Sequence, residues 1–311
     1  MLSAVSIFSG CGGSDYGLRM AGFDILMAND ISRYACKTYK LNMPETQVIC
    51  CDISEKSKFP KADLLIGCYP CQGFSQGGVR DPNRNINYLY REFDRVLRII
   101  KPKAFIVENV SGMLRSNNYY LLRNQVIRFR MAGYIVAGPQ ILNAYEFGVP
   151  QTRKRVFIVG IKSDLGIKYK FPQPTHGPNG IRKGVTQRDV LEGMPEWPEG
   201  EFYDEDFHWY YLSRNRRRDW DEPSATILSN PRHMPLHPIS PPLIKYDEND
   251  WRFAYKSPAR RFSYKESALL QGFSRGFKFA EGSLIEKYKA IGNAVPPPLF
   301  RAVTEALPNI W

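Results

Sequence analysis

The residues able to do chemistry fall in four short stretches, each directly after or at the start of a β-rich run. The first is the glycine loop Phe8-Ser9-Gly10-Cys11-Gly12-Gly13. Glycine lets backbone approach a ligand closely, and the helix that follows offers unpaired amides. The loop is not a dinucleotide fingerprint, because Asp15 stands where G-x-G-x-x-G needs its last glycine, which disfavours a nicotinamide dehydrogenase. Asp30 lies 20 residues beyond Gly10, where a carboxylate can accept from both hydroxyls of a ribose. Asp52 ends the next β-rich run, placed to meet an adenine edge. Either aspartate would equally suit a helix N-cap; together they point to an adenosine-containing ligand without demanding a pyrophosphate.

The second stretch is Gly67-Cys68-Tyr69-Pro70-Cys71-Gln72-Gly73-Phe74-Ser75-Gln76-Gly77-Gly78. A thiol after proline in a glycine-rich loop, with basic and helical surroundings that lower its pKa, is a candidate nucleophile; an inert buried cysteine is the alternative. The third is Glu108-Asn109-Val110, whose carboxyl, raised by burial, could act as a hydrogen-bonding acid. In the fourth, Gln151-Thr152-Arg153-Lys154-Arg155, alternate strand positions share a face, so Arg153 and Arg155 could meet one anion or carbonyl; a solvated strand start would read the same way. Cys68 and Cys71 form a C-x-x-C, but zinc needs four ligands, and the histidines at 176, 208, 233 and 237 lie about a hundred residues away. No metal is expected.

These stretches require a scaffold that brings strand ends to one edge. Residues 1–165 alternate strand runs (3–8, 25–28, 48–51, 64–67, 105–108, 135–142, 155–161) with helical ones (14–21, 33–42, 88–100, 119–131), the pattern of a doubly wound α/β domain with a parallel sheet. After Lys162 the texture changes to proline, glycine and aromatics, beginning Phe171-Pro172-Gln173-Pro174. A smaller domain of short strands and loops is expected there, and regular structure returns over 288–307. The domains read as 1–165 plus 285–311, and 166–284.

Composition narrows the class. With 43% hydrophobic and 24% charged residues the chain is globular. No 18-residue apolar window and no leader pattern is visible, so a cytoplasmic protein, not a membrane one, is expected. All six cysteines fall in the first 71 residues, unlike a disulfide-stapled secreted protein. The net charge is +12; residues 80–130 carry 11 basic against 4 acidic side chains, and 214–218 read Arg-Asn-Arg-Arg-Arg. Basic residues concentrated in this way fit a phosphate-facing surface.

In order and spacing these motifs resemble the cytosine-C5 DNA methyltransferase family across essentially the whole chain. Phe8–Gly13 resembles its cofactor loop, Pro70-Cys71-Gln72 its catalytic loop, Glu108-Asn109-Val110 its acid motif and Gln151–Arg155 its arginine motif. Arg260-Arg261-Phe262-Ser263-Tyr264-Lys265-Glu266 with Leu270-Gln271-Gly272-Phe273 resembles the ninth motif, and Tyr288-Lys289-Ala290-Ile291-Gly292-Asn293-Ala294-Val295-Pro296 the tenth. Two positions depart: Ile86-Asn87 precede Leu89 where the family has Arg-Gly, and Leu269 takes a usual arginine position.

The resemblance implies a Rossmann-like S-adenosylmethionine-dependent domain beside a smaller, irregular target-recognition domain. It implies that Cys71 adds to cytosine C6, that Glu108 serves N3 and the exocyclic amine, and that Arg155 with Arg153 binds the O2 side of a base flipped out of the duplex. S-adenosylmethionine would lie against Phe8, Gly10, Gly12, Asp30, Ile31, Asp52, Ile53, Pro70, Leu89 and Asn293. Double-stranded DNA would meet Gln72, Ser75, Arg80 and Arg84 of the catalytic loop and Arg214, Arg216, Arg217 and Arg218 of the smaller domain. That arginine run, followed by Leu236-His237-Pro238, resembles the recognition region of a restriction-associated subgroup reading GGCC. A monomer is implied, in the cytoplasm at the nucleoid, with a restriction endonuclease of the same target as partner. An RNA-methylating branch carries a Cys-Phe-Thr signature that this chain lacks, since no cysteine follows Cys71. A catalytically silent homologue is disfavoured because the nucleophile, acid and arginine positions are all occupied.

Overall fold

The computed structural model describes residues 2–70, 88–115 and 119–311. Cys71, Gln72, Ser75, Arg80 and Arg84 lie outside the described residues. The chain divides into two compact units: Met1–Asn143 with Lys154–Gln173 and Leu299–Trp311, and Ala144–Arg153 with Pro174–Pro298.

The first unit is built on a seven-stranded sheet. Its strands are β1 (Leu2–Ile7), β2 (Phe23–Asp30), β3 (Gln47–Cys50), β4 (Leu64–Gly67), β5 (Ala104–Val110), β6 (Tyr134–Asn143) and β7 (Lys154–Lys162), in the order β3-β2-β1-β4-β5-β7-β6. Helices α1 (Gly13–Met20), α2 (Arg33–Asn42), α3 (Tyr90–Ile100) and α4 (Tyr119–Met131) fill the connections. Strands β1 to β5 pair in parallel, whereas β7 runs antiparallel to both neighbours. This corrects the all-parallel expectation. It matters for the site: carboxyl ends of parallel strands share one edge, and an inserted antiparallel strand presents its start there instead.

Burial explains the pattern. Strand β4, Leu64-Leu65-Ile66-Gly67, is buried throughout, as a central parallel strand covered on both faces must be. Helix α3 buries Phe93, Val96, Leu97 and Ile100 at helical spacing, and a Cβ on Gly67 would overlap the Phe93 ring. The core continues through Phe105, Phe129 and Tyr134, whose rings meet at 4.9–5.2 Å.

The second unit holds α5 (Gln187–Leu191), α6 (Trp209–Leu212), a hairpin of β8 (Leu243–Asp247) and β9 (Asp250–Phe253), α7 (Tyr264–Leu270) and α8 (Leu284–Asn293); α9 (Pro297–Glu305) opens at its edge. Four boundaries differ from those expected, the first being that the first unit runs on through Gln173 rather than ending at 165. The regular stretch at the chain's end is two helices, because Pro296 to Pro298 follow an extended Ala294. Helix α8 packs with α7 and so clusters with the second unit. Residues 144–153 also belong to that unit.

Its interior is polar where sequence would suggest oil. Arg260 and Glu266, both inaccessible to solvent, form two hydrogen bonds of 2.8 Å, and Glu266 also closes the capping box of α7 with Ser263. His237 lies 3.5 Å from the same carboxylate while its Nδ1 accepts from the Ile239 amide. Burial, with Arg260 and Arg217 near, pushes its pKa down to about 3, so the ring is neutral. Among the described residues no helix is long and apolar enough to cross a membrane.

Candidate active site

The parallel register places the predicted loops together. Ile7 lies opposite Asn29 and Gly67, Asp30 opposite Cys50, and Gly67 opposite Val107. The glycine loop, Asp30, Asp52, Pro70 and Glu108 therefore leave the sheet at one edge, where doubly wound folds bind ligands.

At the first loop Phe8, Gly10 and Gly12 have φ of 58°, 55° and 93°. Gly12 is favoured by its φ of 93°, which strains any L side chain, and a Cβ there would also press on Met43 and Tyr39. Over Gly10 the space is open: an added Cβ would meet nothing within 4 Å. The turn is fixed from β2, with the Ser9 amide donating to Asn29 O at 2.9 Å and the Gly10 amide to Asp30 Oδ2 at 2.8 Å. The other Asp30 oxygen accepts from the Ser32 amide at 2.8 Å. Asp52 accepts from the amide and hydroxyl of Ser54 at 2.9 and 2.8 Å, which holds its carboxyl below the usual range. A half-buried Phe8 ring, open space over Gly10 and two strand-end carboxylates suit an adenosine-bearing group. Ile31 is 70% exposed beside them and Leu89 is half-buried. Ile53 differs from expectation: it is buried in the core.

Asp15 explains why the loop departs from a dinucleotide motif. It is fully buried and accepts from Tyr39, Ser14 and Ser6 hydroxyls at 2.8, 2.9 and 3.0 Å. Burial outweighs these bonds and raises its pKa to about 6. An acid whose folded pKa is raised contributes most stability below its unfolded value, near 3.8, and loses it as pH rises through 6. The Asp15→Asn variant lacks this titration. Between pH 4 and 7 its stability relative to wild type should therefore rise by about 2 kcal/mol. Urea unfolding at several pH values checks this, and parallel curves would count against it.

The reactive corner is formed by β4, β5 and β7. Glu108 is buried near the end of β5, and Arg155 lies opposite Val110 at the start of β7, two residues from Glu108's own partner Phe157. That diagonal puts both side chains on one face, and Arg155 Nε meets Glu108 Oε1 at 2.9 Å. Burial lowers the Arg155 pKa, and the Glu108 charge opposes it. Asn109 donates to Tyr69 O at 3.1 Å, tying β5 to the residues just before Pro70-Cys71. Nothing in the Glu108-Asn109-Val110 motif signals this bond, because its acceptor lies 40 residues away. Desolvation, then the Glu108 charge, holds the Cys68 thiol well above its ordinary pKa, and burial pushes Cys11 up to about 12. Neither is a thiolate nucleophile.

Arg153 does not accompany Arg155. Strand β7 begins at Lys154, and Arg153 is buried in the second unit, donating from Nη1 to Ile227 O and from Nη2 to Gly292 O, both at 2.8 Å, and to Ala294 O at 3.2 Å. Gln151 and Gln271 complete this knot: Gln151 donates to Leu270 O and Gln271 Oε1, and Gln271 donates to Ala294 O. Asn293 is exposed between two of the bonded carbonyls. The arginine run is likewise partly internal. Arg216 donates to His233 O at 2.7 Å, Arg217 to Ser240 O and Pro238 O at 2.8 and 2.9 Å, and Arg218 to Asn215 O and Arg217 O at 3.0 and 2.6 Å. Arg214 is the exposed member, lying over the Tyr210 ring at 4.7 Å.

A doubly wound sheet whose carboxyl edge gathers a glycine loop, strand-end carboxylates and a buried carboxylate–guanidinium pair defines a Rossmann-like α/β enzyme. The chain belongs to the C-5 cytosine-specific DNA methylase family, whose model matches residues 2–309, and by that membership it is a DNA cytosine-C5 methyltransferase. It is 35% identical over 348 residues to the Type II methyltransferase M.BsuRI of Bacillus subtilis, covering 99% of this chain and 79% of that one. It is also 35% identical over 327 residues to M.NgoPII of Neisseria gonorrhoeae, covering 98% and 95%. A DNA modification methyltransferase encoded within an E. coli prophage shares the fold, with a TM-score of 0.75 at 21% identity over 98% of each chain.

Proposed function

We propose that this enzyme transfers a methyl group from S-adenosylmethionine to C5 of a cytosine flipped out of duplex DNA, through a covalent bond between Cys71 and C6. The Glu108–Arg155 ion pair, set at the sheet edge where β4 leads into Pro70-Cys71, carries this reading. Cytosine C5 is a poor nucleophile. Addition of the Cys71 thiolate at C6 makes the ring an enamine, with Glu108 stabilising the charge at N3 and the exocyclic amine and Arg155 binding O2. After methylation, loss of the C5 proton expels Cys71 and restores the aromatic ring.

S-adenosylmethionine would supply the electrophilic methyl. Phe8, Gly10, Gly12, Asp30, Ile31, Asp52, Pro70, Leu89 and Asn293 are the residues proposed to hold it, with Asp30 on the ribose. Arg153 we assign as a positioning residue, because its two terminal nitrogens donate to carbonyls that include those on both sides of Asn293. The second unit would read the target and the first would perform the chemistry, with Gln72, Ser75, Arg80 and Arg84 proposed to meet DNA. GGCC is the proposed sequence. The relatives named above are Type II methyltransferases, which supports a cognate restriction endonuclease as partner of this monomer.

Bisulfite sequencing of plasmid from cells lacking cytosine methylation tests the reading. Cells expressing the chain should protect one cytosine per GGCC. Protection at another sequence would replace the target, whereas complete conversion with soluble protein present would overturn the DNA substrate.

A further inference from the structure

The second unit carries an exposed aromatic cluster that none of the roles above uses. Within α6 only Tyr211 turns fully inward, donating its hydroxyl to Met234 O. Trp209 beside it is 62% exposed, the largest aromatic surface on this segment, and Tyr210 is 44% exposed. The rings are organised: His208 to Trp209 at 5.4 Å, and Trp209 edge-on to Tyr210 at 5.8 Å. Arg214 lies over Tyr210 and donates to its phenol oxygen, which fixes a planar cation at the border of the cluster.

Adjacent exposed rings, rather than a single one, are the kind of surface that marks an interaction site. The neighbouring charges narrow its occupant. Arg216, Arg217 and Arg218 follow within nine residues but turn donors to backbone carbonyls, so the exposed cation of the run is Arg214, at the border of the cluster. Asp204, Glu205 and Asp206 lie just upstream, with Glu205 paired to Arg232 at 3.2 Å. An occupant must therefore offer an anion or acceptor to Arg214 and flat π faces to the two rings. Nucleobases satisfy both demands.

We propose that Trp209 and Tyr210 form a stacking platform for bases of the target duplex, with Arg214 reading a base edge or phosphate beside it. This rests on the reading as a DNA methyltransferase and adds residues that bind through ring faces rather than charge. Flipping a base unstacks its neighbours, and an aromatic face recovers part of that loss.

The test measures binding of a GGCC-containing duplex to the full chain at several salt concentrations, for wild type, Trp209→Ala, Trp209→Phe and Arg214→Gln. Losing one base–aromatic stack should weaken binding about tenfold in Trp209→Ala. Its salt slope should be unchanged, because no phosphate contact is removed, and Trp209→Phe should recover most of the loss. Arg214→Gln should weaken binding with a slope shallower by about one if it meets phosphate, and with an unchanged slope if it meets a base. Trp209→Ala binding like wild type, or failure of phenylalanine to rescue it, would overturn the platform while leaving the enzyme assignment intact. If wild type does not retain the duplex at low salt, the DNA reading itself fails.

Discussion

Cys71→Ser should reduce methyl transfer by about 10³-fold or more while leaving duplex and cofactor affinity nearly unchanged. A serine hydroxyl is essentially un-ionised near neutral pH, whereas a cysteine is already a few per cent thiolate and intrinsically more nucleophilic. Neither Cys68 nor Cys11 can substitute, since their raised pKa values keep both protonated. Cys68→Ser, three residues away, should therefore retain turnover close to wild type. A duplex with 5-fluorocytosine at the target gives a second readout. Fluorine at C5 blocks the final elimination, so wild type should become covalently attached at Cys71 and the serine variant should not. Full turnover by Cys71→Ser would sink the covalent mechanism.

The second large effect is at Glu108. The amide of Glu108→Gln preserves shape and can still accept from Arg155, but it cannot offer a carboxyl proton to N3. Turnover should fall by about 10²- to 10⁴-fold, the usual range for a positioned acid, with little change in stability. Glu108→Ala differs in kind. It leaves the Arg155 guanidinium, whose side chain is 14% exposed, without its partner; breaking a buried pair costs roughly 3–5 kcal/mol. Thermal unfolding of the two variants separates these contributions. Equal turnover in Glu108→Gln and wild type would remove the acid assignment.

Much of the catalytic half was legible because its signals are local. Apolar runs such as Leu64–Gly67 mark strands, and residues just beyond them must sit at the carboxyl edge once the strands are parallel, so Asp30, Asp52 and Glu108 could be placed by sequence alone. What failed depended on partners far along the chain. Arg153 and Arg155 look alike in sequence, yet β7 begins between them; one meets Glu108, while the other reaches carbonyls 74 and 139 residues away. Arg216, Arg217 and Arg218 read as a phosphate surface because charge is visible in sequence and carbonyl acceptors are not. Ile53 followed Asp52 into the expected cofactor contacts, but an apolar side chain beside a strand end is as readily drawn into the core. Asp15 was used only to exclude a motif; its three hydroxyl partners come from β1, α1 and α2, which no spacing rule connects.

The knot of Gln151, Arg153 and Gln271 bears on how specificities could be exchanged among such enzymes. A designer swapping the region after Pro174 would cut where the polypeptide looks separable, and would transplant the carbonyls of Ile227, Gly292 and Ala294 without the guanidinium that satisfies them. Residues 144–153 precede β7 yet fold with the downstream segment. A working chimera must therefore carry two grafts from one donor, the short stretch and the long one together.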